Sequence, residues 1–124
     1  MTDTRMPTLQ AAVPILAVSD VAAAVEYYKR VLGFEIAWQW GEPPRLASVC
    51  RDQVELNLSQ STGAKPAISR VYFQMTGIDA YYAGLAAAGA KVAVPIGDRT
   101  YGMRDFRIVD PSGNELSFGE EIGS

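Results

Sequence analysis

The chain has 124 residues, 48% of them hydrophobic and 20% charged, with a formal net charge of −3. This suits one ordinary globular domain, and no Lys/Arg cluster offers the basic face that nucleic acid requires. There is no histidine and only one cysteine, Cys50. That excludes Ser-His and Cys-His nucleophiles, an intrachain disulfide, and the imidazole ligands that zinc, nickel and iron prefer.

The first ten residues are polar and have no signal-peptide core, so 1–10 reads as a tail and the protein as cytoplasmic. The longest apolar run, Ala11 to Val18, is too short to span a bilayer. Ala12 to Val18 reads as a strand, and Pro14, lacking an N–H, puts it at a sheet edge. Ser19 and Asp20 cap a helix whose apolar face is Val21, Val25, Tyr28 and Leu32, and Gly33 stops it. Phe34 to Trp40 alternates as a strand. After the Gly41 to Pro44 turn, Leu46 to Cys50 and Gln53 to Leu58 form a hairpin with Arg51-Asp52 at its bend. Ser59 to Pro66 reads as a linker.

The pattern then restarts. Arg70 to Met75 is a strand; Thr76 and Asp79 read as a capping box for a helix with Ile78, Tyr82 and Leu85 on its apolar stripe. Val92 to Val94 is a short strand, and Gly97 to Gly102 a loop. Phe106 to Val109 and Glu115 to Glu120 flank the Asp110 to Asn114 turn. Asp105 and Asp110 read as turn and solvent groups. Val21 and Ile78 are 57 residues apart, and Gly33 and Gly89 are 56 apart. Such self-similarity marks a duplication. The expected architecture is α+β: two βαβββ repeats, 11–60 and 69–122, forming a curved mixed sheet within a single domain, 11–124.

Two stretches resemble the signature segments of the vicinal-oxygen-chelate superfamily of glyoxalases, bleomycin resistance proteins and extradiol dioxygenases. One runs from Ala12 through Val21 and Tyr27-Tyr28 to Phe34; the other is Tyr101-Gly102-Met103-Arg104-Asp105-Phe106 with the Asp110 to Asn114 turn. The resemblance implies a ligand cavity inside a curved sheet. It also places the nitrogen ligands of metal-using members at Val13 and Arg70, and their carboxylates at Glu55 and Glu120. With both nitrogens gone, no metal and no other cofactor is expected, and Glu55 and Glu120 remain only as candidate catalytic carboxylates.

The metal-free bleomycin resistance branch is the nearest match. It implies a homodimer that sequesters an aromatic or cationic small molecule in a groove between subunits. The positions matching that groove include Tyr101 and Leu46, with Trp38 and Trp40 adjoining and Arg70 on a first-strand position. Trp38 and Trp40, two apart, share a strand face. Aromatic faces suit planar ligands and cations. The alternative is an enzyme of the same superfamily, lyase-like or dioxygenase-like, working through Glu55 or Glu120.

Overall fold

Ten elements follow in the order strand, helix, three strands, stated twice. The first set is β1 (Ile15–Val18), α1 (Val21–Arg30), β2 (Glu35–Trp40), β3 (Leu46–Arg51) and β4 (Val54–Gln60). The second is β5 (Arg70–Gln74), α2 (Ile78–Ala87), β6 (Lys91–Asp98), β7 (Met103–Val109) and β8 (Glu115–Glu121). This computed structural model describes residues 6–63 and 67–123; parts of the expected tail (1–5) and linker (64–66) lie outside the described residues.

Each set makes its own four-stranded mixed sheet, in the orders β1-β4-β3-β2 and β5-β8-β7-β6. The parallel pairings β1 with β4 and β5 with β8 match one another in register: Ile15 lies beside Asn57, and Tyr72 beside Ser117. The duplication read from the sequence is therefore a duplication of strand pairing.

Helix α1 begins as expected, with the Asp20 carboxylate accepting from the Ala23 N–H at 3.1 Å. Helix α2 does not. Gly77 intervenes at φ 76, a left-handed conformation that carries Thr76 away from the cap position, and no side-chain cap bond forms. Instead the Ile78 N–H donates to Glu120 Oε1 at 2.9 Å. Its counterpart in the first half is the Val21 N–H donating to Gln60 Oε1 at 3.1 Å.

Four strand boundaries depart from expectation, and one of them is β7, which begins at Met103, three residues before the expected Phe106. β1 begins at Ile15, one residue after the proline, although the Pro14 carbonyl still accepts from the Asn57 N–H at 2.9 Å. β4 continues to Gln60, into the expected linker. β6 runs on to Asp98 through Pro95; it is an edge strand, and two register shifts absorb the proline.

Each helix covers one face of its own sheet. Leu16, Val18, Ala47, Val49, Leu56 and Leu58 are buried beneath α1 with Tyr28. Beneath α2, Phe118 stacks between Phe73 at 4.7 Å and Phe106 at 5.3 Å between ring centroids. The halves then lock through their turns. Asp110, expected at the surface, is only 4% exposed and accepts from the Tyr28 hydroxyl at 2.8 Å. Asn114 Nδ2 donates to the Ala17 carbonyl at 3.0 Å. In the reciprocal contact, the Tyr81 hydroxyl and Arg51 Nη1 both donate to the Leu32 carbonyl at 2.8 Å.

Candidate ligand-binding site

Strand alternation decides which side chains leave the core. With Leu56 and Leu58 under α1, Glu55 and Asn57 point to the opposite, helix-free face. Cross-strand partners share a face, so Ser48, Cys50, Leu46, Trp38 and Trp40 stand there too. The two tryptophans thus sit beside Ser48 and Leu46 respectively, on an edge strand, and Trp40 is 66% exposed. Ser48, although on the open face, has no solvent exposure and donates its hydroxyl to Glu55. Asn57 Oδ1 is buried there without a hydrogen-bond partner among the described residues.

The open face of the second sheet is built by the same rule. Phe73, Phe106, Leu116 and Phe118 face α2, so Arg70, Tyr72, Asp105, Arg107, Glu115 and Ser117 face away from it. At its centre Asp105, expected in solvent, is only 6% exposed. Its carboxylate accepts from the Tyr72 hydroxyl at 2.9 Å, from Arg99 Nε at 2.7 Å and from the Tyr101 hydroxyl. Burial opposes ionisation of Asp105, but the bonds from Arg99, Tyr101 and Tyr72 outweigh it and hold the carboxyl below its ordinary range. Desolvation and the bond to Asp105 push Tyr72 up to about 12. The Asp105 bond, with desolvation, also raises Tyr101.

This hub fixes two aromatic rings. Gly119 is what lets Tyr72 lie down, since a Cβ there would collide with the Tyr72 hydroxyl. Tyr101 stands on the β6–β7 turn with its ring 65% exposed and its hydroxyl anchored. Beside them, Arg70 Nη2 and Arg107 Nη1 both donate to Glu115 Oε1, each at 3.2 Å, and Arg107 Nε donates to Ser117 Oγ at 3.2 Å.

The sequence-based candidates therefore divide. Trp38, Trp40, Leu46 and Glu55 share the open face of the first sheet, while Tyr101 and Arg70 belong to the open face of the second. Glu55 and Glu120 are not brought together on equivalent surfaces. Glu120 lies on the helix side of its sheet as the counterpart of Gln60, and by register the counterpart of Glu55 is Glu115. Nor do the residues present suit a transition metal. Val13 is hydrocarbon, Arg70 is a cation bonded to Glu115, and the described residues include no group of three or more His, Cys, Asp or Glu able to hold an ion.

A cleft of about 1140 Å³ lies elsewhere, between the β3–β4 turn and the start of α2. Phe34, Phe73, Tyr81 and Phe118 line it, with Arg51 and Glu120 among its polar groups. Two of its four charged residues already serve the fold, Arg51 on Leu32 and Glu120 on Ile78, and Asp52 and Glu121 also line it. It is a seam between the halves, and Trp38, Trp40, Leu46, Arg70 and Tyr101 do not line it.

The model of the Glyoxalase/Bleomycin resistance protein/Dioxygenase superfamily matches residues 9–118. The chain belongs to that superfamily. Its repeated sheets and capped helices are the superfamily's α+β architecture. Among solved structures of similar fold is the bleomycin-binding protein from the bleomycin producer Streptomyces verticillus, complexed with copper(II)-bleomycin. It is 28% identical, with a TM-score of 0.76 covering 96% of this chain and 100% of that one. TioX from Micromonospora sp. ML1 is 20% identical, with a TM-score of 0.78 over 90% and 100% of the two chains. A lactoylglutathione lyase from Agrobacterium tumefaciens is 20% identical, with a TM-score of 0.74 over 93% and 96%. No curated protein matches the chain in sequence. No helix among the described residues is long and apolar enough to cross a membrane.

The sequence reading missed Tyr72, Asp105, Arg99 and Arg107. Only strand register brings them together: Tyr72 and Asp105 are 33 residues apart.

Proposed function

We propose that this protein is a cytoplasmic, metal-independent binding protein. It holds a flat aromatic small molecule, unaltered, in a groove built from the open sheet faces of two subunits. The observation that carries the reading is the placement of Trp38, Trp40, Tyr72 and Tyr101. All four are large and exposed, and all stand on the helix-free faces or their rim. Exposed aromatics concentrated in this way mark a binding surface. The tyrosine hydroxyls are tethered to Asp105, so their rings are pre-ordered and little entropy is lost on stacking. Glu55 and Glu35 (opposite Cys50) put negative charge on the tryptophan face, which suits a cationic group on the same ligand. The likeness to a bleomycin-binding protein points the same way.

Titration with planar glycopeptide-like, quinone and flavin-like compounds, followed by tryptophan fluorescence, tests this. A saturable spectral change with the compound recovered intact supports the reading; turnover of the compound would refute it. Joint action of Glu55 and Glu120 in one site gains no support from the geometry, because the two lie on unlike sides of their sheets.

A further inference from the structure

We propose that the open face of the second sheet contains an anion seat, Arg70 and Arg107 beside Ser117, which takes the carboxylate of a flat aromatic acid. The proposal rests on the groove reading above and specifies the chemistry of the ligand.

The two guanidiniums converge on a single oxygen. Arg70 Nη2 and Arg107 Nη1 each reach Glu115 Oε1 at 3.2 Å, so two positive charges share one negative charge. These bonds are long for charge-assisted pairs, which close to roughly 2.7–2.9 Å. The protein makes such tight pairs elsewhere: Arg99 meets Asp105 at 2.7 Å and Arg104 meets Asp79 at 2.8 Å. Glu115 thus holds the two arginines side by side without satisfying either. Each guanidinium carries five N–H donors. Arg70 uses one on Glu115, and Arg107 uses one on Glu115 and one on Ser117; the described residues offer the remaining donors no further acceptor.

The neighbours keep the seat positive. Asp105, the nearest carboxylate along β7, is neutralised by Arg99. The floor is low, because the residues on β8 here are Ser117 and Gly119. In register, Ser117 has Tyr72 on one side and Arg107 on the other. A carboxylate over Ser117 therefore lies between a cationic fork and a fixed phenol ring, an arrangement suited to an aromatic acid. One excess positive charge matches one carboxylate, and the planar fork matches its two oxygens. Arg70, with a side chain 69% exposed, is open to a ligand from solvent.

Calorimetric titration of the full chain with 2-naphthoate and with 2-naphthamide, equal in shape and different in charge, tests the seat. Naphthoate is expected to bind about tenfold more tightly, which corresponds to about 1.4 kcal/mol. Added salt should weaken naphthoate alone. Arg70→Gln and Arg107→Gln should each erase the preference by weakening naphthoate far more than naphthamide. If R107Q does not fold, R70Q carries the test, since its side chain is mostly in solvent. Equal affinity for acid and amide would overturn the seat and leave the groove standing. Binding of neither probe would remove both. If the variants shift self-association and leave the preference intact, the arginines form a bridge between subunits, and the proposal fails.

Discussion

Asp105 concentrates the chemistry of the second open face, and its pH behaviour is the clearest residue-level consequence. Its folded pKa lies below the unfolded value of about 3.9, so the stability it contributes is fully present above that value. That contribution fades as pH falls through the folded pKa. Urea midpoints measured at pH 7 and pH 3 should therefore fall further in the native protein than in Asp105→Asn, which has no carboxyl to titrate. Equal acid sensitivity in the two proteins would refute the hub. Tyr101 makes a complementary case. Tyr101→Ala removes an exposed ring and one of three donors to Asp105, leaving Tyr72 and Arg99 in place. Ligand affinity should drop about tenfold, while stability falls by no more than about 1 kcal/mol, read from a melting curve beside the fluorescence titration. Tyr101 could be found in the sequence, being an aromatic in a loop with little packing excuse. Asp105 could not, because a single aspartate before a phenylalanine looks like any turn carboxylate. Its partners come from β5 and from the β6–β7 turn, and the sequence does not state which residues the strand register will bring together.

At the scale of elements, the same local rules read the two helix starts with unequal success. Asp20 caps α1 by the short-range bond its side chain is made for. Thr76 and Asp79 offer an equally plausible local motif for α2, yet the left-handed Gly77 displaces it and a residue 42 positions away takes over. Glu120→Ala should therefore cost about 1–2 kcal/mol, the usual range for losing a helix cap, with the added loss of a negative charge at the helix N-terminus. Thr76→Ala should stay within about 0.5 kcal/mol, like other surface changes. Chemical denaturation of the two variants decides the matter, and a larger loss for Thr76→Ala would restore the capping box. The strands tell a similar story. The β3 strand, with its clean alternation, is close to its expected span. The misjudged β6 contains Pro95, which forbids a central strand and is tolerated here because β6 has a neighbour on one side only.

For the whole molecule, the question is what covers the open faces. Within one chain no strand of the first sheet pairs with a strand of the second, and the halves are joined through turns, by Tyr28 on Asp110 and by Tyr81 and Arg51 on Leu32. That leaves Ile15, Trp38 and Trp40 exposed on one face and Tyr72 on the other, with Tyr101 at its rim. Met6 and Leu9, in the segment ahead of β1, are also exposed, Leu9 completely. A surface this apolar is expected to meet a partner. Two copies related by a two-fold axis would set the first face of each opposite the second face of the other, enclosing the groove between them in an isologous contact. Light scattering at micromolar concentration should then give twice the 13.4 kDa chain mass. Trp40→Glu, which adds a charge to an exposed apolar position, should shift the mass toward the monomer and leave the far-ultraviolet circular dichroism unchanged, since β2 contributes little to either core. A native mass of 13.4 kDa at that concentration would refute the two-subunit groove and confine any ligand to one open face of a single chain.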